Sequence, residues 1–165
     1  MKELLENYSA YNVWANQKLT EKIGSLSPEL QTKEMVSSFP SLHKTLLHMW
    51  DAETVWWQRI RLVEQPVFPS VQFSGDTSEL MQALNAQSKQ WQQWIQHASM
   101  AALHHVILYH NVKREPVKMQ VGQIAQHVMN HGTYHRGQLV TMLRMLNIEK
   151  LPQTDYSLWV QKFRK

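Results

Sequence analysis

Cysteine is absent from the 165-residue sequence. No disulfide can staple the fold, so nothing points to secretion, and neither a thiol nucleophile nor a sulfur ligand can come from this chain. Glycine and proline are scarce, at five and six residues, and no low-complexity linker, repeat or composition change marks a boundary. Residues 1–165 are therefore expected to form a single domain, long enough to bury a core unaided. No run of about 18 apolar residues is available to span a bilayer, and the opening "MKELLENYSAYNVWANQKL" lacks the apolar stretch of a signal peptide. A cytoplasmic protein that does not enter membranes is the plain reading.

Basic residues are in excess, with a formal charge of +4, yet they are scattered. Their densest group is the terminal "QKFRK", too short for a nucleic-acid footprint, so no nucleic-acid partner is expected. What the chain has in quantity is aromatic and imidazole rings: seven tryptophans and nine histidines. Trp50, Trp56 and Trp57 share one segment and Trp91 and Trp94 another, a pattern suited to helix packing or a dimer face.

Apolar spacing predicts four long helices. The first covers residues 2–24. "SLSPEL" offers a helix start at Ser27 and Pro28, enough for a short turn. The second begins at an N-cap on Ser41 and is closed by Pro66; its apolar arc is too wide for a surface helix, so it should be central or form an interface. After a loop at "FPSVQFSGDTSEL", Asp76 or Thr77 caps a third helix running through Leu80, Leu84, Trp91, Trp94 and Ile95. Between residues 103 and 120 the period changes to that of a small β-hairpin. The last long helix spans 121–147, ending near Asn147, and a short helix follows over Tyr156 to Phe163. The sum is an all-α four-helix bundle with a crossover connection.

In the last helix, alternating steps of three and four mark a seam at Val121, Ile124, Val128, His131, His135, Gln138, Met142 and Met145. Two imidazoles interrupt an otherwise apolar stripe, with His127 beside it. Residues four apart on a helix share a face, so two such imidazoles can converge on one first-row metal. An unpaired imidazole in an apolar seam is costly, whereas coordination satisfies one ring nitrogen and leaves the other for a second acceptor. A third ligand has to come from another element. His43, His48, His97, His104, His105 and His110 are the candidates, and periodicity does not choose among them, although His48 sits in the most apolar surroundings, "TLLHMW".

Three blocks, "YNVWANQKL", "LLHMWDAETVWWQRI" and "HVMNHGTYHRGQLVTMLR", with the hairpin and closing helix in the same order, resemble the DinB family of DNA-damage-inducible, metal-binding four-helix bundles (DinB/YfiT type). The resemblance spans nearly the whole chain, and "NHGTYHRGQ" is its most specific part. It implies one metal held by three histidines, matching His48, His131 and His135, and so favours His48 over His43. It leaves His127 outside the ligand set. Gly137 is read as allowing another helix to approach. Arg136 is expected to point off the seam into an ion pair, and Gln138 to orient a ligand. Asp51, Glu53 and Tyr134 are expected in solvated or capping roles.

Three neutral imidazoles leave coordination positions open, as at a reactive site, and zinc or nickel suits nitrogen ligands. Such a metal lowers the pKa of bound water or binds a thiolate. With no cysteine in the chain, that sulfur has to arrive on a low-molecular-weight thiol. The resemblance extends to thiol-dependent transferases, so the expected function is a metal-dependent thiol S-transferase acting on a small electrophilic substrate, or a hydrolase. The rival is a non-catalytic, stress-response bundle with a structural metal. A homodimer burying part of the Trp56 and Trp57 region is also expected.

Overall fold

A computed structural model describes residues 1–111 and 113–163. Its elements are α1 (Lys2–Gly24), α2 (Pro28–Thr32), α3 (Leu42–Ile60), α4 (Thr77–His97), α5 (Met100–His104), β1 (Val106–His110), β2 (Pro116–Gln120), α6 (Val121–Met145) and α7 (Tyr156–Phe163). The fold is mostly helical, with the expected hairpin before α6 and the short closing helix. None of the described helices is long and apolar enough to cross a membrane.

Local chemistry sets most boundaries. Ser41 caps α3 by accepting from the Lys44 amide at 3.0 Å. Asp76, not Thr77, caps α4 in a reciprocal capping box with Glu79. The end of α3 comes earlier than Pro66: the helix stops at Ile60, and Leu62 turns the chain with a φ of 57°. Asn147 takes the same left-handed conformation after α6, with φ 57°, a role asparagine fills at modest cost. Inside the expected loops lie α5 and a 3-10 turn at Pro69–Val71 that the sequence reading did not separate.

The four long helices pack in a ring: α1 contacts α4 and α6, and α3 contacts the same two. Consecutive long helices α1 and α3, and likewise α4 and α6, are therefore diagonal, so the links at 25–41 and 98–120 both cross the bundle. The second carries the antiparallel hairpin, with Val106 opposite Gln120 and His110 opposite Pro116. Helix α3, expected to be central or to form an interface, touches both neighbours as well as α2 and β1, yet it carries fewer buried residues than α1, α4 or α6 and is no more central than they are.

The interior is not uniformly apolar. One cluster gathers Leu5, Trp91, Ile95, Ile124 and Val128; another gathers Leu19, Leu46, Leu80, Leu84, Leu139 and Met142. A buried polar group joins α1, α3, α4 and α6. The Glu53 carboxylate accepts from Asn12 Nδ2 at 3.0 Å, Asn16 Nδ2 at 3.3 Å and Ser88 Oγ at 2.8 Å. Arg136 Nη1 donates to Asn12 Oδ1 at 2.6 Å and Asn16 Oδ1 at 2.9 Å, while Nη2 donates to Thr133 Oγ1 at 2.7 Å. The two asparagines thus relay between a buried anion and a buried cation.

Two sequence expectations are corrected by this arrangement. Arg136 does leave the histidine seam, but toward α1, where it is buried and bonded to side-chain amides, with no direct ion pair among the described residues. Because α6 has two neighbours, it has two buried stripes; the second runs through Ala125, Met129, Gly132, Arg136, Leu139 and Leu143. Glu53 is likewise buried, not solvated. The close approach assigned to Gly137 belongs to Gly132, where a Cβ would come 2.9 Å from Asn12 Oδ1, whereas at Gly137 it would meet nothing within 4 Å.

Burial pushes the Glu53 carboxyl up to about 7, against the opposing pull of Asn12, Ser88, Arg136 and Asn16. A carboxyl raised from 4.5 to about 7 favours the fold fully below 4.5, and loses that contribution as pH rises through 7. In urea unfolding, Glu53→Gln should therefore gain stability relative to wild type as pH rises from about 5 to about 8, by up to about 3 kcal/mol. Subtracting the two profiles removes the histidine titrations common to both. A pH-independent difference contradicts the assignment.

Candidate metal site

Helix α3 carries His48 and α6 carries His131 and His135, and the α3–α6 contact brings the three rings together. His131 Nε2 lies 3.2 Å from His48 Nε2 and 3.0 Å from His135 Nε2. The three residues form a group able to hold a metal ion, with donor atoms all within 4.8 Å of one another. Donors about 2.0–2.1 Å from a shared centre would be about 2.9 Å apart at right angles and about 3.4 Å apart at the tetrahedral angle. Both short contacts fall between those limits, so the group is compatible with a metal ion.

Protonation also suits ligation. Burial and the neighbouring His135 hold His48 down at about 4, partly offset by Asp51. Burial, His135, His48 and His127 hold His131 down at about 3. Burial lowers His135 as well, with Gln138 acting in the opposite sense. All three rings are therefore neutral at neutral pH, as metal ligation needs. Gln138 Oε1 lies 2.7 Å from His135 Nδ1. With that carbonyl accepting, His135 carries its proton on Nδ1 and presents a bare Nε2 lone pair. The role expected for Gln138 matches this contact.

The remaining histidines lie elsewhere. His43 Nδ1 is bonded to Thr77 Oγ1 at 2.9 Å. His97, His104 and His110 fall at the ends of α4, α5 and β1, and His105 follows α5. His127 stacks edge-on against Trp56, with its ring 5.9 Å from that of His131, and is not in the converging group. Asp51 accepts from the Ser70 amide and hydroxyl at 2.9 and 2.6 Å, which ties the 3-10 turn to α3. Tyr134 is 64% exposed and places its ring edge-on to His135.

Sequence reasoning missed Phe39. Carried by the link before α3, its ring stacks on His48 at 4.0 Å and meets His135 edge-on at 5.7 Å. It supplies an apolar wall that shields the ligands from water. Only its position between two serines and a proline, "SSFPS", could have drawn notice to it. Beside the site, Val36, Tyr134, Gly137, Gln138 and Met142 border a cavity of about 280 Å³. The open space over Gly137 forms part of it, which is what the missing side chain provides there.

Residues 1–161 match the DinB family profile. The chain is 30% identical over 168 aligned positions to a Bacillus subtilis (strain 168) protein named "Protein DinB", covering 91% of this chain and 90% of that protein.

Single His48→Ala, His131→Ala and His135→Ala variants should each lose most of the bound metal in elemental analysis, while His127→Ala keeps it. Gln138→Ala should weaken metal affinity about 10- to 100-fold without abolishing it. Full occupancy in His48→Ala would contradict the ligand set.

Proposed function

Because the chain belongs to the DinB family, we propose that it is a metal-dependent enzyme, a thiol S-transferase by preference and a hydrolase as the second choice. The observation that carries this reading is the small ligand set: three imidazoles and, among the described residues, no fourth His, Asp or Glu in the group. A site of that kind leaves positions for substrate. When bound, zinc or nickel supplies a Lewis-acid centre that lowers the pKa of a thiol or water.

The chain's own residues do the rest. Gln138 fixes the ring of His135, and Phe39 excludes water from one side of His48. The cavity beside Gln138 and Met142 offers room for a small electrophile. With no cysteine in the sequence, the chain cannot fill the open position with its own sulfur, which supports an incoming low-molecular-weight thiol. A structural role is the alternative, favoured by one observation: the ligands bridge two helices and are 83 residues apart in sequence.

Cellular thiols added to cobalt-substituted protein should shift its d–d spectrum, and the shift should vanish in His135→Ala. An electrophile should then be consumed only when thiol, metal and protein are together. An unchanged spectrum combined with turnover of an ester or amide favours the hydrolase. If chelation sharply lowers the melting temperature and no turnover of either kind is found, the metal is structural.

A homodimer is proposed as well. Trp56 packs edge-on against Tyr109 and His127, and Trp57 against Trp91 and Trp94, within the protomer, but Trp56 and Trp57 remain only half-buried. A second copy covering part of their open edges would complete that burial along α3. Light scattering should give twice the protomer mass of 19.5 kDa at micromolar concentration; a monomer mass rules the dimer out.

A further inference from the structure

Beyond the histidine group, one half-buried cation has no hydrogen-bond acceptor or ion-pair partner among the described residues. Arg59, on the last turn of α3, is half-buried and places its Cζ 4.3 Å from the centre of the Trp56 ring and 4.8 Å from that of Tyr109. Among the described residues no carboxylate lies within ion-pair distance of it and no oxygen accepts from its guanidinium. Stacking on two rings stabilises the charge but leaves the N–H fork without acceptors. Burial accordingly disfavours the charged form.

The guanidinium borders a cavity of about 370 Å³ between the end of α3 and β1, a size suited to a small ligand. The other walls are mostly apolar: Leu62, Val63, Pro66 and Leu108. Leu62 is held at φ 57°, a conformation unfavourable for a leucine, and is 68% exposed. Leu108 is 61% exposed. Glycine would make the same turn without strain and without presenting an apolar surface to water. Glu64 and His110 complete the lining, and Glu64 is exposed and unpaired with Arg59.

We infer that this cavity is a binding site for a small organic acid, its carboxylate held by the Arg59 fork and its apolar body lying on Leu62, Val63 and Leu108. A planar carboxylate matches the fork in a bidentate pair, and the partly desolvated setting strengthens that pair over its value in water. The lining calls for an acid with an apolar body; inorganic phosphate satisfies the guanidinium alone. The site lies eleven residues beyond His48 on the same helix, about 16 Å along its axis. His127 and Trp56, in ring contact, fill the space between them. Neither Arg59 nor the cavity lining includes a residue of the three-histidine group, so this site is independent of the enzyme reading above.

The test uses full-length, chelator-treated protein and 3-phenylpropanoate, with its neutral amide as control, followed by the indole N–H resonances. The acid should saturate with its largest shift at Trp56, and the amide should bind about tenfold more weakly or not at all. Arg59→Gln should lose about tenfold in affinity for the acid, Glu64→Gln should gain, and Arg144→Gln should match wild type. Inorganic phosphate should compete weakly. Equal binding of acid and amide, shifts centred away from Trp56, or no saturation at millimolar acid would each overturn the site. The acid–amide comparison needs only the wild-type protein, so it remains decisive if Arg59→Gln fails to fold.

Discussion

The structure depends on a single buried polar network: Glu53 on α3 and Arg136 on α6, connected through Asn12 and Asn16 of α1 and supported by Ser88 of α4. Apolar packing would hold four helices together in several rotations; a polar group that must be satisfied on all sides permits few. Arg136 adjoins His135 in sequence, and Glu53 lies five residues after His48. Fixing the first pair therefore fixes which faces of α3 and α6 meet, and hence where the imidazoles point. The penalty for losing one member is large, because a buried partner is left unsatisfied.

Gly132 shows how tightly that constraint is drawn. The amide of Asn12 occupies the space a side chain would take, so α1 reaches Arg136 only because position 132 has none. Gly137, one and a half turns further along, is bare for the opposite reason: nothing fills its side, and the opening becomes part of the cavity beside Gln138. Two glycines on one helix thus serve packing on one face and access on another.

The helices, the hairpin and two of the three histidines were legible in the sequence, because periodicity reports which residues share a face. The seam through His131 and His135 required only the spacing of one helix. His48 was not decidable that way, since joining α3 to α6 is a long-range choice; the resemblance to a family supplied it. Arg136 and Glu53 were misjudged for a related reason. One apolar stripe per helix was traced, whereas α3 and α6 each have two neighbours and bury polar residues on a second stripe. The pair Asn12 and Asn16, four apart among buried apolar residues of α1, was the available sign of that network. Phe39 and Arg59 were illegible, as their surroundings come from links and a strand distant in sequence.

The separation of 83 residues between His48 and His131 has a consequence for when the three histidines can come together in a cell. During synthesis α3 leaves the ribosome long before α6, so a chain that stops short of His131 has only one of the three. A single histidine on a nascent helix holds a divalent ion too weakly to retain it. The three-histidine group is therefore completed late, after assembly of the bundle, and the polar layer must orient α6 before any ion could be held there. An ion taken up by such a group would be drawn from the labile metal pool that meets the finished fold, with copper favoured over nickel and zinc on affinity alone. Cellular metal buffering, acting after folding, would then decide which ion the group holds.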